Sequence, residues 1–208
     1  MYHGEKLNSI SHLIGAALSL VGLGSLITIS ASTRDPWMIS SFCIFGFSMV
    51  LLYTMSTLYH SFQQTKLKSL FQTFDHVSIY ILIAGTYTPY MLVTLREGNG
   101  WIIMSAVWVL AAIGIFLDTV PKKRQHFLTM CIYLGMGWAI TFDYAALEAA
   151  IPEAGVNWLV AGGIAYTVGV IFYIADKSPK VPHAHGIWHF FVLAGTICHF
   201  ISIAGYVR

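Results

Sequence analysis

The sequence predicts an all-α membrane protein: a single domain over residues 1–208, folded as a bundle of seven transmembrane helices. Three observations carry this. The chain is 57% hydrophobic and only 10% charged, with a mean hydropathy of +0.70, whereas soluble domains carry about 25% charged residues. Seven stretches each reach the roughly 20 apolar residues that a spanning helix needs. The connections between them are short, so successive helices run antiparallel.

The first stretch, residues 9–30, follows Glu5 and Lys6. It is too long for the apolar part of a secretory signal and no clear cleavage site follows, so it reads as a membrane helix. Glu5, Asn8 and His12 fall three and four residues apart and share one face at its start. They read as groups surrounding a site, or else as a helix-end cap and an interhelical hydrogen bond. Gly15, Gly22 and Gly24 favour close helix contact.

The second stretch, 37–60, ends in Ser56-Thr57-Leu58-Tyr59-His60. The connection from Ser61 to Phe74 is polar. Leu67, Leu70, Phe71 and Phe74 recur in it at helical spacing, which predicts a short amphipathic interfacial helix. The third stretch, 76–95, starts just after Asp75. Its Pro89 should kink the helix and free a backbone carbonyl.

The fourth, 101–118, ends at Asp118 beside Lys122, Lys123 and Arg124, with which the aspartate can pair. The fifth, 126–149, contains Asp143. An ionised aspartate at that depth is costly, so it is expected to face the interior or a water-filled cavity. The sixth covers 156–175. The seventh, 184–206, opens with His185 and His189, and Thr196 and His199 continue roughly the same face.

Charge sets the expected orientation. Of the eleven Lys and Arg residues, eight fall at one side: Lys6, Lys66, Lys68, Lys122, Lys123, Arg124, Lys177 and Lys180. Arg34, Arg96 and Arg208 fall at the other. The positive-inside bias places the N-terminus in the cytoplasm and the C-terminus outside. A formal net charge of +2 is too small to suggest nucleic acid. Cys43, Cys131 and Cys198 lie in apolar stretches without a CxxC pair, which gives packing residues and no disulfide framework.

This topology brings His60, Asp75, His185 and His189 to one boundary of the membrane, although none of them was used to set it. His185 and His189 are four apart and so stack on one helical face. His60 adds a third nitrogen from another helix. Three protein ligands with an open position is the usual form of a catalytic zinc site, and zinc is the expected cofactor. Such a metal lowers the pKa of bound water and polarises a carbonyl. Asp75 is placed to hold that water through a hydrogen bond or act as a base, or to cap the third helix. Ser56, four before His60, can donate to a substrate oxygen, or bond its own helix. His76 and His183 compete as ligands, and His126 reads as interfacial.

Together these motifs resemble the haemolysin III branch of the progestin and adiponectin receptor family, within a superfamily that includes alkaline ceramidases. The matching features are Glu5 through His12, Ser56 to His60, Asp75-His76 followed by Ile83-Ala84-Gly85-Thr86-Tyr87-Thr88-Pro89, Asp118, and His185 to His189. They span nearly the whole chain in the family's order. The resemblance implies zinc on His60, His185 and His189, with Asp75 reaching it through water and Ser56 beside it. It also implies an integral protein of a bacterial inner (plasma) membrane. The receptors' long N-terminal domain is not matched, so hormone binding is not carried over.

Three functions follow as expectations. The first is a zinc-dependent hydrolase of a lipid amide, or a lipid sensor on the same scaffold, acting in membrane-lipid homeostasis. Its partner is a membrane lipid. The second is a non-enzymatic, membrane-perturbing or pore-forming protein, which calls for a polar stripe through the full membrane depth. The third is an electron carrier with haem held between His60 and His189.

Overall fold

A computed structural model describes residues 4–121, 125–176 and 180–208. Lys122, Lys123, Arg124 and Lys177, which carry part of the charge bias, lie outside the described residues. The described chain is all-helical, as the composition predicts. In order the elements are α1 (Lys6–Thr33), α2 (Pro36–Ser61), α3 (Thr65–Pro89), a π-helical turn (Tyr90–Thr94), α4 (Gly100–Thr119), α5 (His126–Gly137), a 3-10 turn (Ala139–Asp143), α6 (Tyr144–Ala150), α7 (Glu153–Ala175) and α8 (Ala184–Tyr206). Counting α3 with its π turn, and α5 through α6, as single spans, seven segments are long and apolar enough to cross a membrane.

The bundle buries small polar residues among an apolar core and turns large apolar side chains outward. Ser9, Ser30, Ser41, Ser78 and Ser202 are fully buried, whereas Val21, Ile102, Phe127 and Phe142 are exposed. In lipid, small residues let helices approach and apolar side chains face the solvent. Three glycines show this approach. Gly15, Gly114 and Gly195 receive the rings of Tyr53, Tyr80 and Tyr166 from facing helices. A Cβ at Gly15 would stand 2.6 Å from Tyr53, and one at Gly195 would stand 2.7 Å from Tyr166. Gly22 abuts Phe200, but Gly24 meets open space and takes no part in helix contact. α1 packs on α2 and α8, α2 on α3, α3 on α4, and α7 on α8.

The helix ends follow local chemistry. Arg34 closes α1 in a left-handed conformation, and Asp35 then caps α2 by accepting from the Trp37 N–H at 3.0 Å. Pro36 occupies the first turn, where no N–H is needed.

Several details refine the sequence reading. Residues 65–75 are not a separate interfacial helix, because α3 begins at Thr65 and runs unbroken through them. No glycine or proline interrupts it there, so the amphipathic spacing simply continues. Asp75 is therefore inside a helix and is not its cap. Pro89 coincides with the switch from α to π geometry over Tyr90–Thr94. The proline lacks an N–H and its ring crowds the carbonyl four residues back.

The fifth span is broken after Gly137. Breaks in a membrane span need partners for the freed backbone groups. The Tyr87 hydroxyl supplies them: it accepts from the Ile140 N–H at 3.0 Å and donates to the Gly137 carbonyl at 2.9 Å. Asp143 ends that 3-10 turn, half-buried, and accepts from the Asn99 side chain at 3.2 Å. It thus meets the connection before α4 and does not face the bundle interior.

Candidate metal centre

α1, α3 and α8 begin, and α2 and α7 end, at one end of the bundle. His60 arrives there from the last turn of α2, and His185 and His189 from the first turns of α8. One ligand atom of each lies within 4.8 Å of the others. The ring centroids form a near-regular triangle: 5.0 Å for His60–His185, 4.9 Å for His60–His189 and 4.8 Å for His185–His189. His60 and His189 are buried. The i, i+4 spacing on α8 and the arrival of α2 thus bring all three to one point.

The Nδ1 atoms face outward from this triangle onto oxygen acceptors. His60 Nδ1 donates to Glu5 Oε2 at 2.7 Å. His189 Nδ1 donates to the Asn8 carbonyl at 3.0 Å, with Ser11 Oγ at 3.1 Å. His185 Nδ1 lies 3.3 Å from Asp176 Oδ2. A carboxylate or carbonyl can only accept, so each Nδ1 carries the proton and each Nε2 keeps a lone pair. Metal-binding histidines are oriented in this way by such partners. His60 Nε2 is buried and has no hydrogen-bond partner among the described residues. An orphaned buried lone pair is costly, and it fits a metal ligand.

Glu5 lies just ahead of the first span. Burial by itself would raise its carboxyl pKa. Hydrogen bonds from His60, Lys68 (2.9 Å) and Asn8 (2.8 Å) outweigh burial and hold it well below its ordinary value. The carboxylate therefore stays charged beside His60.

A cavity of about 210 Å³ leads away from the triangle between α3, α5, α7 and α8. His185 and His189 border it, as do Ser56 and Asp75, both buried. Its walls further in are mostly apolar, with Leu52, Ile79, Leu82, Ile83 and Met130.

The remaining candidates separate. His76 borders the cavity but is not in the triangle; its carbonyl accepts from Tyr133. His183 is exposed ahead of α8, and His126 is exposed at the start of α5. Asp118 accepts from Tyr80 at 3.3 Å and Thr129 at 2.8 Å, tying α4 to α3 and α5. Thr196 and His199 serve packing: Thr196 holds the hydroxyls of Tyr53 and Tyr166, and His199 donates to the Leu159 carbonyl. His12 stacks on His189 at 3.6 Å and makes no hydrogen bond to it. The His60 and His189 rings are too close for a porphyrin plane to pass between them, which removes the haem reading.

Sequence reasoning missed Ser11, Lys68 and Asp176. Ser11 lies three residues after Asn8 on the same helix. Lys68 and Asp176 were read only as loop charge or not at all, although both sit at the end of the bundle where the histidines gather.

Seven spans around a three-histidine cluster, two of its members buried, define an integral membrane protein with a candidate metal centre. The chain belongs to the Haemolysin-III related family, whose profile matches residues 1–200. It is 43% identical to a Hemolysin-3 homolog of Bacillus subtilis (strain 168), covering 97% of this chain and 93% of that one. It is 40% identical to Hemolysin-3 of Bacillus cereus, covering 98% and 91%. It is also 27% identical to the human Monocyte to macrophage differentiation factor, covering 96% and 83%. The family read from the separated motifs is thus the family the chain belongs to.

Proposed function

We propose that this chain binds zinc through His60, His185 and His189 and uses that site on a membrane lipid. The leading reading is hydrolysis of a lipid amide, with a lipid sensor as the non-hydrolytic form of the same site. The role is membrane-lipid homeostasis in a bacterial plasma membrane, with the N-terminus and the histidine end facing the cytoplasm.

One observation carries the reading: a mostly apolar cavity inside the bundle reaches two of the three clustered histidines, His185 and His189, with Ser56 and Asp75 on its wall. Such a cavity accepts an acyl chain and brings its polar end to the histidines. Zinc, when bound, supplies Lewis acidity toward a carbonyl and activates water near neutral pH. Glu5 and Asp176 hold the ligand rings in place. Asp75 takes up the proton of the attacking water as a general base and later returns it to the leaving amine. Ser56 donates a hydrogen bond to the carbonyl oxygen as it gains charge.

The Bacillus cereus relative is called a hemolysin, which makes membrane perturbation the competing reading. The mostly apolar lining of the cavity disfavours a constitutive aqueous pore.

Purified protein in lipid nanodiscs tests these readings. Zinc content near one per chain, with fatty acid released from an N-acyl sphingoid or N-acyl amine lipid and lost in Asp75→Asn, supports the hydrolase. Zinc without release from any acyl-amide lipid leaves the sensor. Well-folded protein without metal removes both, and dye leakage from loaded vesicles would then favour the pore.

A further inference from the structure

His12 is buried, 3% exposed, within the first two turns of α1 and next to the histidine triangle. Both of its ring nitrogens are buried and find no hydrogen-bond partner among the described residues. Its ring is held firmly. It stacks on His189 with 3.6 Å between centroids and 10° between planes, and it meets Tyr53 edge-on at 5.0 Å. Tyr53 is itself fixed by its hydrogen bond to Thr196 at 2.7 Å.

Packing does not account for this residue. A phenylalanine would fill the space without burying two unpaired polar atoms, each of which is costly. Ligation does not account for it either. A metal lies close to the plane of the imidazole that binds it, about 2.0–2.1 Å from the nitrogen. With His12 and His189 nearly parallel and stacked, an ion in the plane of one ring lies well outside the plane of the other. His12 is thus excluded as a further ligand to an ion held by His189.

What remains is the cavity. His12 lines it together with Ser56, Asp75 and His189. A neutral imidazole offers one N–H and one lone pair, which complements a secondary amide or the hydroxyl beside it. From this we infer that His12 is a lipid-binding residue: it hydrogen-bonds the polar linkage of an amide-linked lipid and seats it beside the three histidines. The inference rests on the lipid reading above and adds the group that recognises the linkage.

The test uses zinc-loaded protein in nanodiscs and a fluorescent short-chain N-acyl sphingosine as probe, beside a probe with the same chain but no amide or hydroxyl. His12→Phe keeps the ring and removes both nitrogens. Its zinc content should match wild type, its affinity for the amide probe should fall about tenfold, and its affinity for the apolar probe should stay the same. His12→Gln restores a donor and an acceptor and should recover part of the loss. Should His12→Phe fold poorly, ¹⁵N-histidine NMR of wild type gives the same answer, because the amide probe and not the apolar one should shift the His12 resonances. Loss of zinc in folded His12→Phe would overturn the inference, as would equal amide-probe binding with zinc retained. Failure of zinc-loaded wild type to bind either probe would overturn it together with the lipid reading, and so separates the two failures.

Discussion

Glu5 and His60, 55 residues apart in sequence, share a hydrogen bond of 2.7 Å between a carboxylate held in its charged form and a buried imidazole. That bond fixes the His60 tautomer and leaves Nε2 as the lone pair facing the cluster. Removing the carboxylate should loosen the ring without removing the ligand. Glu5→Gln is expected to weaken zinc binding by roughly ten- to hundredfold, read by chelator competition, with the fold intact by circular dichroism.

The same carboxylate should make stability depend on pH in one direction. Its folded pKa lies below its ordinary value of 4.5. The stabilisation it contributes is therefore fully present above the unfolded value and is lost as pH falls through 4.5 toward the folded one. Metal-free wild type should melt higher than Glu5→Gln at pH 6, and the gap should narrow as pH drops below 4.5. A gap that widens with acid would contradict the arrangement around Glu5.

Histidine substitutions should divide sharply by position. His60→Ala, His185→Ala and His189→Ala should each lose bound zinc, measured by elemental analysis of purified protein. His76→Ala and His183→Ala should keep about one zinc per chain, because neither belongs to the triangle.

Tyr87 supports the broken fifth span through two backbone hydrogen bonds. Tyr87→Phe leaves the buried Ile140 N–H and the Gly137 carbonyl without that partner. A loss of about 1–3 kcal/mol is expected, seen as a lower unfolding midpoint in detergent. Zinc content should be unchanged, since the break lies away from the triangle.

Much of the centre could be read from spacing alone. His185 and His189 are neighbours on one helix by periodicity, and charge bias together with seven spans carried His60 to the same end. Both inferences use only helical geometry and membrane depth. The partners of the histidines were less accessible. Asp176 and His185 belong to different helices, and only the packing of α7 on α8 sets the 3.3 Å between them. His12 sits on the expected face of α1, yet its stack against His189 depends on how α1 meets α8.

By itself the sequence determined the class of fold, the number of spans and the end of the bundle where the histidines gather. Hydrophobic length and helical period are local quantities, written in consecutive residues. The tertiary structure decided the rest: the start of α3 at Thr65, the break after Gly137 held by Tyr87, the exclusion of His76 from the triangle and the His12 nitrogens left without a partner among the described residues. Each of these depends on which side chain of a distant helix satisfies a buried polar group, and in a medium without water that choice is made by packing between helices.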